Sequence, residues 1–258
     1  MPKFFVFSDV HGFYDEFIKA LDEAGYDKNN KEHWLISCGD NFDRGDGNAE
    51  MLDYLLNSER IILIKGNHED MLMEALRRGF SEYHDIHNGT DKTIWQLSND
   101  LCEFDSAYDK VSPLFNKMLN YFETENYIFV HGWIAISCFE DFPHWARYRT
   151  YKYNPEWRNA DEKDWSEARW LNGMQLANEG IIEENKTIVC GHFHTTWGKA
   201  RYHRPAGDLK GNDYYEFGEG SDFSPYYDKG IIAIDGCTAF SGRVNILVIE
   251  DEFLGRNG

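Results

Sequence analysis

Five short apolar runs in this chain each stop at a glycine accompanied by Asp, His or Asn. Lys3–Ser8 runs into Asp9-Val10-His11-Gly12, Trp34–Cys38 into Gly39-Asp40-Asn41-Phe42-Asp43-Arg44-Gly45, and Ile61–Lys65 into Gly66-Asn67-His68-Glu69. Tyr127–Val130 runs into His131-Gly132, and Thr187–Cys190 into Gly191-His192-Phe193-His194. After each of the first three runs, apolar residues recur at helical spacing: Phe17, Ile18, Leu21 and Ala24, then Met51, Leu52, Leu55 and Leu56, then Met71, Leu72, Ala75 and Leu76. Strand-helix-strand-helix-strand is the pattern of a parallel sheet with helices on its faces. In such sheets the carboxyl ends of the strands open onto one crevice. The order therefore sends Asp, His and Asn from five strand ends to a common place, which packing alone does not call for.

Residues 90–120 read as mostly helical, with Ile94, Leu97 and Leu101 on one face and Leu114, Phe115, Met118 and Leu119 on another. Residues 133–185, rich in Trp, Tyr, Arg and Asp, read as a surface insertion with some helix. Residues 195–229 read as a long Gly- and Tyr-rich loop, and loops of that length are commonly functional lids. Ile231–Asp235 and Val244–Glu250 supply two closing strands. No internal repeat or low-complexity linker interrupts the chain. Residues 1–258 are thus expected to form one domain, with insertion or lid segments at about 133–185 and 196–229.

The chain has 26 Lys+Arg against 45 Asp+Glu, a formal net charge of −19. That balance weighs against binding nucleic acid or an anionic membrane surface. An aromatic content of 16% excludes a disordered acidic chain. Phe4-Phe5-Val6-Phe7 is too short for a secretory h-region, and no run approaches the roughly 18 apolar residues of a bilayer span. The five cysteines form no C-x-x-C. A cytoplasmic protein with reduced core thiols is the expectation.

In an extended segment residues i and i+2 point the same way, so Asp9 with His11, and His192 with His194, are expected to address one ion together. One carboxylate can bridge two cations, and the neighbouring glycines let a ligand approach closely. Carboxylate, amide and imidazole donors without thiolate suit Mn, Fe or Zn better than a closed structural zinc site. Taken singly, Asp9 reads as a helix N-cap, each His as a structural hydrogen-bonding residue, Asn67 as a turn residue and Arg44 as a surface arginine. Their order together carries the chemistry.

These motifs resemble those of the calcineurin-like metallophosphoesterases, and within them the phosphoprotein phosphatase branch of the bacterial and bacteriophage lambda type. The resemblance spans most of the chain, with 133–185 and 196–229 matching poorly. It implies an α/β fold with a central β-sandwich flanked by helices, four layers in the order αββα. It implies two divalent metal ions, manganese first, with iron, zinc or nickel as alternatives. One would be held by Asp9, His11 and Asp40, the other by Asp40, Asn67, His131 and His192. It further implies direct in-line attack on phosphorus by a hydroxide bridging the metals. His68, oriented by Asp43, would protonate the leaving oxygen, and Arg44 and Asn67 would engage the phosphate.

Two departures from the family pattern stand out. The wider superfamily carries G-H-x-H, whose second histidine binds the first metal; the phosphatase branch lacks it, yet His194 is present, and the i+2 spacing makes it a candidate ligand. The lambda type places a second phosphate arginine in W-x-R. Here the segment reads Ala168-Arg169-Trp170-Leu171-Asn172, so the motif position holds Asn172. Arg169 becomes the candidate, with Arg147 and Arg149 as weaker ones.

The function implied is a metal-dependent phosphoric monoester hydrolase, a serine/threonine protein phosphatase first, acting on phosphorylated protein, peptide or small phosphoester. Symmetrical diadenosine tetraphosphate hydrolases share the motifs, which makes a nucleotide hydrolase the second reading. Trp133, Trp145, Trp157, Trp170, Trp197, Tyr226 and Tyr227 could stack a base, grip a peptide or pack on the body. A catalytically silent binding module is the reading from another class, and the joint presence of the ligands, His68 and Arg44 argues against it. Two divalent cations set against Asp9 and Asp40 leave about +2 at the site. An acidic shell around a cationic hole admits a phosphate and repels long polyanions.

Overall fold

The computed structural model describes residues 1–98, 100, 103–139 and 150–254. Eleven strands follow in chain order: β1 Lys3–Phe7, β2 His33–Ser37, β3 Ile61–Leu63, β4 Phe122–Glu123, β5 Tyr127–Phe129, β6 Ser137–Phe139, β7 Thr150–Lys152, β8 Thr187–Cys190, β9 Tyr226–Asp228, β10 Ile231–Ala233 and β11 Leu247–Glu250. Strand β1 explains the layering. Its alternate residues serve two different cores, as the period of two along a strand requires. Phe5 and Phe7 join a cluster with helical residues, while Phe4 and Val6 join a cluster made almost wholly of strand residues.

Two sheets share that second cluster. One has the order β11-β1-β2-β3 and the other β4-β5-β8-β10-β9. In the first, β1, β2 and β3 are parallel and β11 is antiparallel to β1. In the second, β5, β8 and β10 are parallel, with antiparallel β4 and β9 at the edges. Phe4, Val6, Ile36 and Ile249 of one sheet pack against Phe129 and Val189 of the other. The inner faces therefore make a β-sandwich.

Helices cover the outer faces. Over the first sheet lie α1 (Tyr14–Ala24), α2 (Asn48–Asn57), α3 (Asn67–Arg78), α5 (Thr90–Ser98) and α6 (Phe104–Phe115), with short α4 (Tyr83–Asn88) beside them. The apolar residues read at helical spacing, Phe17, Leu21, Met51, Leu55, Leu72 and Ala75 among them, face Phe5, Phe7 and Leu35. Over the second sheet lie α7 (Glu162–Ala168) and α8 (Gly173–Asn178). The four-layer αββα order is the expected one. Among the described residues, no helix is long and apolar enough to cross a membrane.

Within 133–185, expected to be a surface insertion, several described residues are core residues. Trp133, Trp157 and Trp165 are fully buried and wall the outer face of the second sheet together with Met174 and Leu176. Arg158 ties this wall to the sheet, donating to Glu123 at 2.6 and 3.0 Å and to Glu183 at 3.1 Å. A sheet face needs cover, and here the cover is aromatic rather than aliphatic. The 195–229 stretch is also more regular than a loop, with α9 (Thr195–Tyr202), α10 (Asn212–Glu216) and β9. Last comes α11 (Thr238–Ser241).

Candidate metal centre

The strand ends do converge, by a backbone route that differs from simple extension. Asp9, His11, Asp40, Asp43, Arg44 and His192 have positive φ values of 53°, 51°, 55°, 78°, 43° and 66°. The left-handed region costs a non-glycine residue on the order of 1 kcal/mol or more, and such residues gather at functional sites. Here almost every one of them is a residue singled out for its chemistry.

Two histidines are aimed by backbone carbonyls. His11 Nδ1 lies 2.9 Å from the Phe42 carbonyl and His131 Nδ1 lies 2.7 Å from the Cys38 carbonyl. A carbonyl only accepts, so each Nδ1 carries the proton and each Nε2 is turned inward. Inward lies Asp40, 3.8 Å from His11 Nε2 and 3.3 Å from His131 Nε2. Metal-ligating imidazoles characteristically donate their other N–H in this way, which fixes ring and tautomer.

The donor atoms form two trios that share Asp40: His11, Asp40 and His68 on one side, Asp40, His131 and His192 on the other. Within each trio the donor atoms lie within 4.8 Å of one another. Asn67 joins the second, its Oδ1 2.8 Å from His131 Nε2. Asp9 borders the first, its Oδ1 3.9 Å from His11 Nε2, while Oδ2 accepts from Ser8 Oγ at 2.6 Å and His192 N at 2.9 Å. Burial would push Asp40 up, yet His131, His68 and His11 outweigh it and hold its carboxyl well below the usual range. Burial lowers His11 well below its ordinary value and brings His192 down to about 3, so both stay neutral. Ionised Asp40 and neutral His11 and His192 are donors a divalent cation needs; burial would lower His131, but Asp40 pushes it up to about 10, so an ion bound there would have to displace its proton. The residues fit two such ions.

His68 has a second pattern. Its Nδ1 donates to Asp43 Oδ2 at 2.6 Å, and its Nε2 lies 3.4 Å from Arg44 Nη2. Asp43 is fully buried and further held by Thr90 Oγ1 at 3.1 Å and Thr93 Oγ1 at 2.8 Å. Burial would lower His68, but Asp40 and the Asp43 hydrogen bond raise it above its ordinary value. The group is thus disposed to hold a proton at a nitrogen that faces the Asp40 side.

A family model described as calcineurin-like phosphoesterase matches residues 2–232. The chain belongs to the calcineurin-like phosphoesterase family. It is similar to a protein named serine/threonine-protein phosphatase 2 from Salmonella typhimurium, 27% identical over 191 residues, which are 73% of this chain and 78% of that protein. It is also similar to a symmetrical bis(5'-nucleosyl)-tetraphosphatase from Buchnera aphidicola, 32% identical over 83 residues, which are 32% of this chain and 29% of that protein. Among solved structures, a cold-active protein-tyrosine phosphatase of a psychrophile Shewanella species aligns with a TM-score of 0.52 at 16% identity, over 97% of this chain and 76% of that one. At that identity the likeness shows the fold alone.

In this phosphoesterase two expected site residues are placed elsewhere. His194 is not brought to the centre: its Nδ1 lies 2.7 Å from Thr196 Oγ1 and its Nε2 3.5 Å from Glu216. The i+2 argument fails because His192 is left-handed rather than extended and His194 caps α9. Arg169 is also withdrawn as a phosphate clamp. Its side chain is 2% exposed and donates to Asp70 at 2.6 Å, Glu162 at 2.8 Å and Asn120 at 2.5 Å. Arg147, Arg149 and Trp145 lie outside the described residues.

Glu69 was quoted in the G-N-H-E motif without a role, and the structure gives it one. Fully buried, it accepts from Asp40 N, Gly66 N and Asn41 N, each at 2.8 Å, and from Asn41 Nδ2 at 3.0 Å. It thereby joins the loop carrying Asp40 to the helix carrying Asn67 and His68. Two glycines make room for the ligands: a Cβ on Gly66 would lie 2.1 Å from Asp40 Oδ1, and one on Gly191 2.2 Å from Asp9 Oδ2. Asp235, buried after β10, had no sequence signal beyond its strand end; its Oδ1 accepts from Cys237 N at 2.6 Å.

Proposed function

We propose that this phosphoesterase is a dinuclear-metal phosphoric monoester hydrolase acting on phosphoserine and phosphothreonine of proteins. The observation that carries the reading is Asp40, shared by two ligand-spaced trios, with the His68–Asp43 pair and Arg44 beside it. Asp9, His11 and Asp40 would hold one ion, and Asp40, Asn67, His131 and His192 the other, with manganese the expected metal. Bound there, two divalent cations activate water and neutralise charge on the phosphate. Arg44 adds a guanidinium suited to bidentate hold on phosphate oxygens. Asp43 fixes His68 so that Nε2 can deliver a proton to the leaving oxygen, a role worth about 10²–10⁴-fold in rate.

Protein is favoured over nucleotide by the breadth of the likeness to the serine/threonine phosphatase and by the surplus of acidic residues. One observation favours the nucleotide reading: Trp170 is 47% exposed, with its ring 5.8 Å from that of His192. A base stacked there would gain about 1–3 kcal/mol. The test compares kcat/KM on a phosphoserine peptide and on diadenosine tetraphosphate, with manganese added and again with EDTA. The peptide is expected to be preferred. A preference for the dinucleotide that disappears in Trp170→Ala would establish the second reading instead.

A further inference from the structure

Three phenylalanines, two exposed and one half-buried, form an aromatic triangle next to the candidate metal-ligand loops. Phe217 and Phe240 meet edge to face with centroids 5.2 Å apart; Phe223 lies 5.7 Å from Phe240 and 6.4 Å from Phe217. Phe217 is 47% exposed and Phe240 60%. Contiguous aromatic surface left in water marks a contact site more often than scattered apolar residues do.

The triangle is tied to two strand ends that carry candidate ligands. The Phe217 ring packs 4.8 Å from the His194 ring, two residues beyond His192. Glu216 holds α10 in that position, facing His194 Nε2 at 3.5 Å and accepting from Arg201 at 2.7 Å. Phe240 is carried by α11, whose Thr238 hydroxyl donates to the Asp9 carbonyl at 3.1 Å. Asn245 Nδ2 fixes the third corner, donating to the Phe223 carbonyl at 2.7 Å and to that of Ile234 at 3.1 Å. The patch is therefore continuous with the loops that present Asp9 and His192.

Charge decides what such a patch takes. Two cations beside it are paired with carboxylates, Lys199 with Asp222 at 2.7 Å and Arg201 with Glu216 at 2.7 Å, while Arg243 donates to the neutral Asn245 Oδ1 at 2.6 Å and keeps its charge. Asp213 and Glu219 add negative charge in the same segment. A polyphosphate would meet Asp213, Glu216, Glu219 and Asp222 against the single uncompensated charge of Arg243. An uncharged apolar side chain needs no counter-ion.

We propose that the Phe217–Phe223–Phe240 triangle docks an apolar side chain of a phosphoprotein substrate, close in sequence to the phosphorylated residue. This rests on the protein-phosphatase reading. The test uses the manganese-loaded protein and phosphoserine peptides that differ only in having Leu or Ala at one flanking position, scanned on both sides. At one position the Leu peptide is expected to be better by about tenfold in kcat/KM, the usual worth of an apolar contact in a specificity site. Phe217→Ala and Phe240→Ala should bring that ratio close to one, and Phe240→Leu should retain it, with metal content confirming an intact centre in each. A ratio near one in the wild type at every position, or one that persists in both Ala variants, overturns the proposal. Hydrolysis of p-nitrophenyl phosphate without hydrolysis of any peptide instead overturns the protein-phosphatase reading beneath it.

Discussion

His68 and Arg44 show what single side chains contribute. His68 donates from Nδ1 to Asp43, and the proposed role, protonating the leaving oxygen, would matter only when that oxygen is a poor leaving group. His68→Asn should keep its metal and lose about 10²–10⁴-fold in kcat on an alkyl phosphate, but under about tenfold on p-nitrophenyl phosphate. Equal losses on both substrates would remove the general-acid role. Arg44 lies 3.4 Å from His68 Nε2, with its backbone carbonyl accepting from Lys92 at 2.8 Å. Arg44→Ala should raise the inhibition constant of inorganic phosphate about tenfold, since a charge-assisted hydrogen bond is worth about 1.5–3 kcal/mol; an unchanged constant would place the phosphate elsewhere.

Between elements, the decisive contacts are those that hold strand ends and helix starts together. Glu69 on α3 receives the backbone of the loop after β2, and Gly66 leaves room for Asp40 against the start of α3. Gly66→Ala should fold, by circular dichroism, yet bind manganese at least about tenfold more weakly, because Asp40 must move and coordination tolerates little displacement. Over the second sheet, Trp165→Ala should cost about 3–5 kcal/mol in denaturant unfolding, the range for emptying a large aromatic site. A cost near zero would return the 133–185 stretch to the surface. The strands and the glycine-ended motifs were legible because alternation and helical spacing are local. The left-handed turn at His192 was not, since no residue type announces it, and so His194 was assigned to the centre when it faces Glu216. Arg169 failed for another reason: its partners Asp70 and Asn120 are distant in sequence, and only the fold brings them to it. Trp133 and Trp157 pack on the body, one of the fates their composition left open, and the need to cover a second sheet, which decides it, is invisible until that sheet exists.

At the scale of the whole molecule, a chain of net charge −19 builds a buried centre in which imidazoles hold one carboxylate ionised. At about 20 Å in water a unit charge acts on another with only about 0.2 kcal/mol, so the acidic surface does not bar a phosphate that reaches the ions. On the proposed reading Asp40 serves two cations at once. Metal-stripped protein should be titrated with manganese while bound metal and p-nitrophenyl phosphate turnover are followed together, for the wild type and for Asp40→Asn. Two ions per wild-type chain, activity that rises as they bind, and loss of both ions from the variant are expected. A single ion per chain, a variant that still binds two, or turnover that survives chelation would contradict that reading.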